Sequence, residues 1–308
     1  PPRSTLDRSS AAADVYKRQG IKYALMSIAD TMALTVVRTA RSAVIKHGMD
    51  FSTSLFNAEG QQVAQGLTLP PHLGSMAPAL EGVMNAFGDD VQPGDIFANN
   101  DPYEGASHLP DIFLFKPIFK NEVLVGWSCC IGHQTDIGGR VAGGNACDNT
   151  EIFQEGLILP PLKLYAKGEL NHAVWRILEK NVRVPDKVLG DVQALLAAVR
   201  FGERDLLRLV DDYGLEELKS YMTDILDTTE RLTRAEIEQL PQGEWEFTDY
   251  IDNDGIDPQP IKIHAKVKVE GGEIFVDFDG TSAQAKGSIN PVSYTHLRAH
   301  ETLRYLVC

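Results

Sequence analysis

Two copies of the pattern H-x-x-D, at residues 108–111 and 133–136, have the residue types and the spacing of a metal site. They flank two apolar runs joined by a polar K-N-E segment at 120–122, a pattern that predicts a β-hairpin. A tight turn in that segment places His108 across from His133 in an antiparallel pair. Moving the turn by one residue slides the pairing by two, but both units stay at the same edge of the hairpin.

Imidazole and carboxylate donors without a thiolate suit manganese, zinc or iron, and also nickel. We predict His108, Asp111 and His133 as ligands of such a divalent metal, and Asp101 and Asp136 as a further ligand or as the general base. The histidine of an H-x-x-D unit often just bonds its own carboxylate at a strand end, so the two units could instead satisfy one another. That second interpretation makes the site structural.

Other polar residues near the two units could contact a metal, a substrate or only the protein. Asn99, Asn100, Tyr103 and Gln134 flank the units, and each alone is more often a structural residue. His72, in L-P-P-H-L-G-S-M, is either an additional contact or a capping or loop residue. The glycine-rich segment after the second unit matches neither a phosphate loop nor a dinucleotide pattern, so we predict a surface loop around the metal.

Composition and charge restrict the partners. The chain has 308 residues and a formal net charge of −14, which argues against a nucleic acid or an anionic membrane as partner. We predict no segment that crosses a membrane. Cys129 and Cys130 are adjacent, so on a strand they point to opposite faces, and with Cys147 they are expected to be reduced thiols of a cytoplasmic protein.

The pattern of apolar residues predicts an α+β fold. Residues 20–46 have helical periodicity, and so do several segments between 174 and 240. Short alternating segments bounded by turn residues predict antiparallel hairpins before and after that helical region. We therefore expect mixed helices and antiparallel hairpins, with the metal site at the end of a central β-hairpin and a helical segment after it. The D-N-D-G sequence at 252–255 lacks the terminal glutamate of a calcium loop and is predicted to be a turn.

Both ends of the chain differ in character from the rest. Residues 1–19 show no apolar periodicity, and residues 293–308 are abruptly rich in histidine and arginine. We predict that both are foreign, adapter-like tails, which leaves residues 20–292 as the part of the chain that forms the fold.

Several segments, taken in order, resemble the hydantoinase B family. They are R-T-A-R-S-A-V-I-K-H-G-M-D-F-S-T-S-L-F-N, L-P-P-H-L-G-S-M, N-D-P-Y-E-G-A-S-H-L-P-D-I, G-H-Q-T-D-I-G-G, T-E-I-F-Q-E-G-L-I-L-P-P-L-K-L, N-V-R-V-P-D-K-V-L-G-D and G-T-S-A-Q-A-K-G-S-I-N-P. The family comprises B subunits of N-methylhydantoinases, the second half of 5-oxoprolinase and α subunits of acetone-type carboxylases. The resemblance covers residues 21–291 and implies an N-terminal part of the family's domain. Many members carry a second histidine where Gln134 stands here.

The resemblance implies a division of labour between two subunits. A hydantoinase A-type partner binds ATP and phosphorylates a carbonyl oxygen of a small-molecule substrate. The B subunit receives the activated species at its metal site, where water opens a lactam or hydantoin ring. The fragment itself is expected to be inactive alone. The alternatives are the α subunit of an acetone-type carboxylase, which adds CO2 to an enolate, and a non-catalytic scaffold subunit.

Overall fold

Seven strands form a single antiparallel sheet at the centre of the molecule, in the order β2-β1-β5-β4-β3-β6-β7. The computed structural model describes residues 5–66, 69–144 and 146–290. The strands are β1 (Phe51–Asn57), β2 (Gln62–Gln65), β3 (Ile96–Asn99), β4 (Asp111–Lys120), β5 (Val123–His133), β6 (Leu162–Ala166) and β7 (Glu169–Leu170).

Helices cover both faces of this sheet. They are α1 (Thr5–Thr39), α2 (Ala43–Lys46), α3 (Pro70–Phe87), α4 (His172–Asn181), α5 (Pro185–Tyr213) and α6 (Leu215–Glu238), with 3-10 turns at Pro102–Glu104 and Ile152–Gln154. Helices α1 and α5 pack with one face in the larger apolar core, and α3 packs with the other face in a second core. Neighbouring residues of a strand enter opposite cores, as Cys130 and Cys129 do. A sheet covered on both faces explains why the central strands are continuously apolar.

Helix α1 is the one helix among the described residues that is long and apolar enough to cross a membrane by length and composition alone, over Tyr16–Thr39, with a mean hydropathy of 1.3. The sequence prediction that no segment is able to cross a membrane therefore did not foresee this helix. Ile21, Leu25, Met32 and Val36 of this helix are buried in the larger core. The apolar composition of α1 is therefore explained by its place in the core. The absence of a membrane partner stays a prediction.

A second, smaller sheet follows the helical region. Its strands β8 (Gly243–Ile251), β9 (Ile261–Glu270) and β10 (Glu273–Asp277) pair antiparallel in the order β10-β9-β8. The D-N-D-G sequence between β8 and β9 forms a turn, in which the Asp254 carboxylate accepts the N–H groups of Ile256 and Asp257. The predicted α+β class, with antiparallel hairpins and a helical region after the central hairpin, is confirmed.

The predicted boundary at residue 20 is not a break in the structure, because α1 runs through it. Lys17 and Arg18 form ion pairs with Glu217 and Asp224 of α6, at 3.0 and 3.1 Å. The predicted tail at 293–308 lies outside the described residues. The assignment of both ends as foreign stays a prediction.

The central hairpin turns one residue later than the sequence suggested. Asn121 and Glu122 have φ angles of 49° and 65°, the left-handed pair that a tight two-residue hairpin turn needs, and Lys120 pairs with Val123. A bulge after Ile118 adds a further shift. Asp111, rather than His108, therefore lies opposite His133. The predicted register is wrong, but the expected convergence at one edge of the hairpin does occur.

Candidate metal centre

Three side chains meet where the central hairpin opens. Asp111 is the first residue of β4 and His133 the last residue of β5, and they face each other across the ladder. His108 lies in the preceding loop, which turns into β4 through a hydrogen bond from the Asp111 N–H to the His108 carbonyl. One donor atom from each of the three side chains lies within 4.8 Å of the others.

The donor atoms of these residues point into one small volume. His133 Nδ1 lies 3.1 Å from Asp111 Oδ1 and 3.2 Å from His108 Nε2. His108 Nε2 lies 3.0 Å from Asp111 Oδ2, which also accepts the Ser107 hydroxyl at 2.6 Å. The Asp111 side chain is buried, whereas the side chain of His108 is 43% exposed. The cluster is therefore anchored inside the protein and open on the His108 side.

The electrostatics favour a negative carboxylate at this point. Burial opposes ionisation of Asp111, but the bonds from His108 and His133 outweigh it and hold the pKa of this carboxyl well below its usual range. For His108, burial lowers the pKa, while the bond to Asp111 and its charge raise it to a net value above the usual one. A buried anion flanked by imidazole nitrogens is an arrangement that attracts a cation.

Asp50 and His72 extend the cluster. His72 Nε2 lies 3.3 Å from Asp50 Oδ1 and 3.8 Å from Asp111 Oδ2, and its Nδ1 lies 3.3 Å from the Ser52 hydroxyl. Burial lowers the pKa of His72, and the charges of the two carboxylates only partly offset that effect. Asp50 reaches the site because β1 pairs with β5, and its carbonyl accepts the His133 N–H at 3.0 Å.

Asp136 and Asp101 lie outside the three-residue group. The Asp136 carboxylate accepts the Arg183 backbone N–H at 2.5 Å and the Arg183 guanidinium at 2.7 Å. It also accepts the Gly143 N–H at 3.3 Å, so it ties the glycine-rich loop to the start of α5. Asp101 caps a 3-10 turn by accepting the Tyr103 N–H at 2.9 Å. The structure therefore places both carboxylates in contacts with the protein rather than with the histidines.

The asparagines predicted near the site hold the loop that carries His108. Asn100 is buried, donates to the carbonyls of Leu109 and Leu157, and accepts the Leu159 N–H at 2.6 Å. Asn99 accepts the Asp101 N–H and donates to the carbonyl of Glu104. Both act here as structural residues that fix the backbone.

A cavity of about 1180 Å³ lies against His108. One side consists of the loops at 102–108 and 144–155, and the other consists of the second sheet and the segment 278–290. Glu155 also lines it, and burial raises the pKa of this carboxyl although the charge of His108 partly offsets the effect. Glu155 was not predicted from the sequence, because a residue in a loop belongs to no pattern of alternating or helical hydrophobicity.

The residues present fit a divalent cation. Two imidazole nitrogens and one buried carboxylate surround a common point, and no thiolate is among them. This donor set matches manganese, zinc or iron. His108, Asp111 and His133 are the residues that would hold the ion.

Comparisons with known proteins show the family of this chain. The family model for hydantoinase B/oxoprolinase matches residues 14–307. The caprolactamase subunit beta of Pseudomonas jessenii is 36% identical over 256 residues, which is 83% of this chain and 44% of that protein. The chain thus spans about half the length of such relatives.

Two solved structures share the fold. The crystal structure of the ATP-dependent caprolactamase from Pseudomonas jessenii superposes with a TM-score of 0.84 at 35% identity, over 89% of this chain and 47% of that one. A nucleotide-free acetone carboxylase superposes with a TM-score of 0.83 at 20% identity, over 90% of this chain and 39% of that one, and this likeness shows the fold alone. The chain belongs to the hydantoinase B/oxoprolinase family.

Proposed function

We propose that this chain is the N-terminal part of the B subunit of an ATP-dependent cyclic amidase, which opens a lactam or hydantoin ring by metal-assisted hydrolysis. The observation that carries the proposal is the convergence of His108, Asp111 and His133 beside a cavity that His108 lines. The likeness to a caprolactamase subunit beta supports the choice of substrate class.

Each residue of the site has a separate task in this proposal. A divalent ion, when bound there, polarises a carbonyl oxygen and lowers the pKa of water. Asp111 supplies a buried negative charge, which the Ser107 hydroxyl holds in place. His108 presents the accessible side of the cluster to the cavity.

Glu155 is the residue we assign to proton transfer. It lines the same cavity as His108, and burial raises its pKa above the usual value, which favours a group that takes and returns a proton. The carboxylates of Asp101 and Asp136, each predicted from the sequence as a further ligand or as the general base, accept hydrogen bonds from protein N–H groups, so neither residue is part of this proposal.

ATP is handled on a separate hydantoinase A-type subunit in this proposal. The sequence contains no phosphate loop, and the similar caprolactamase polypeptide is itself described as a subunit. The partner would phosphorylate the carbonyl oxygen, and this chain would receive the activated ring. A cytoplasmic location fits an enzyme that uses ATP.

The carboxylase alternative has the same fold but no further support, since the acetone carboxylase is only 20% identical. The scaffold alternative requires that the histidines and Asp111 satisfy one another without a metal.

The test is a reconstitution of the subunit with a hydantoinase A-type partner. ATP hydrolysis and ring opening are measured with ε-caprolactam, N-methylhydantoin and 5-oxoproline, and carboxylation is measured with acetone. We expect ATP-coupled ring opening that is lost in His133→Ala. Carboxylation without ring opening would establish the carboxylase alternative, and full activity of His133→Ala would exclude the metal site from the chemistry.

A further inference from the structure

We infer that the cavity beside His108 binds an uncharged lactam with a hydrocarbon ring and rejects a lactam that carries a carboxylate. The inference rests on the proposed function for the reaction, but its evidence is the lining of the cavity. The inference concerns selectivity among cyclic amides, which the metal cluster alone does not determine.

The part of the cavity wall that the second sheet forms is hydrocarbon. Ile251 pairs with Ile261 across β8 and β9, and Ile263 follows two residues later, so all three side chains lie on one face of the second sheet. All three line the cavity, as does Phe278. Ile251 and Ile263 are 42% and 37% exposed, so this apolar surface is accessible from the cavity. This wall suits the methylene groups of a ring.

The charges around the cavity disfavour an anionic ligand. Glu151 and Glu155 line it on the His108 side. Within the described lining, Lys286 is the one lysine or arginine, and its Nζ lies 3.7 Å from the Asp257 carboxylate. The Lys286 side chain is 71% exposed, so its charge is solvated and already paired with Asp257. In the metal-free chain, a ligand carboxylate would lose its hydration opposite two acidic residues and gain no dedicated partner.

The two sides of the cavity are tied together by the protein itself. The Ser288 hydroxyl donates to the Ala146 carbonyl at 2.9 Å, which joins the segment after the second sheet to the loop beside the cluster. The Asp254 carboxylate accepts the N–H groups of Lys286 and Gly287 at 2.9 and 3.0 Å. The wall is therefore built before a ligand arrives, and its selectivity belongs to this chain.

A matched pair of ligands tests the inference directly. 2-Pyrrolidinone and 5-oxoproline share one five-membered lactam ring and differ only in the carboxylate. Their dissociation constants for the chain are measured by ligand-observed NMR after treatment with a chelator, without ATP or a partner. We expect 2-pyrrolidinone to bind about tenfold more tightly or better than 5-oxoproline. ε-Caprolactam, with two more methylenes, should gain up to about fourfold for each one.

Adding one positive charge to the wall should remove the preference. Ile263→Lys should shift the ratio of the two dissociation constants about tenfold or more towards 5-oxoproline. Tyr250→Lys is the matched control, because Tyr250 pairs with Lys262 on the opposite face of the same sheet, and it should leave the ratio unchanged.

Equal or tighter binding of 5-oxoproline by the unmodified chain would overturn the inference, and so would an unchanged ratio in Ile263→Lys. The proposed function fails independently: a chain that shows this lactam preference but binds no divalent metal would support the inference and contradict the proposed function.

Discussion

The longest strands of the two sheets are similar in length but differ in how far they are buried. In β4 and β5 nearly every residue is buried, because helices cover both faces of the central sheet. In β8 all nine residues are exposed. The central sheet therefore holds the side chains at the ends of its strands in a buried setting, whereas the second sheet offers an accessible surface. The candidate metal ligands Asp111 and His133 lie at the ends of strands in the central sheet, and the second sheet forms part of the cavity wall.

The difference is already present in the strand sequences. The central strand β4 reads D-I-F-L-F-K-P-I-F-K, an almost continuous apolar run, as expected for a strand between two helical layers. Strand β8 reads G-E-W-E-F-T-D-Y-I, in which apolar and polar residues mostly alternate, and both of its faces are exposed. The contrast leads to predictions that differ between the sheets.

The largest effect is expected from a matched pair of phenylalanine truncations. Phe113→Ala in β4 should lower the free energy of unfolding by about 3–5 kcal/mol, because the ring is fully buried in the core under α3. Phe247→Ala in β8 should change it by no more than about 0.5 kcal/mol, because that ring is 71% exposed. Denaturant unfolding of both variants measures the difference, and equal losses would refute the contrast between the sheets.

A smaller effect is expected at the edge of the central sheet. Asp136→Asn should lower the free energy of unfolding by about 1.5–3 kcal/mol, because it weakens charge-assisted bonds from Arg183. Denaturant unfolding measures the loss, with Asp148→Asn as a control at the exposed ion pair with Arg140. A stability equal to that of the unmodified chain would show that Asp136 does not hold the loop.

The smallest effect is expected in the second sheet and depends on pH. Four backbone N–H groups hold the pKa of the Asp254 carboxyl at about 2, below its usual value. Because the folded pKa is depressed, the stabilisation is present above the unfolded value of about 3.9 and is lost as the pH falls towards 2. The melting temperature of Asp254→Asn should be below that of the unmodified chain at about pH 6, and the gap should narrow as the pH falls through about 3 towards 2.

Asp252→Asn serves as the control for this pH series, because that exposed carboxylate belongs to the same turn. It should follow the unmodified chain at every pH. A constant gap between Asp254→Asn and the unmodified chain across the series would contradict the assigned pKa.

Local patterns in the sequence predicted the parts of the site that lie on one hairpin. The two H-x-x-D units and the apolar runs between them were enough to place His108, Asp111 and His133 together. The register failed because it depends on a bulge after Ile118 and on left-handed turn residues, neither of which leaves a periodic signal.

Contacts between distant segments could not be derived in that way. Asp50 enters the cluster through the pairing of β1 with β5, which joins residues about 80 positions apart. The partner of Asp136 is Arg183, 47 positions away. Each of these contacts depends on how the layers pack, so a sequence read segment by segment gives no sign of it.

The central claim is that His108, Asp111 and His133 hold one divalent cation, and metal titration tests it most directly. Calorimetric titration of the metal-stripped chain with Mn²⁺ should give one ion bound per chain. Asp136→Asn should keep that stoichiometry, whereas His133→Ala should bind about 100-fold more weakly or not at all. Undiminished binding by His133→Ala, or no binding by the unmodified chain, would contradict the account.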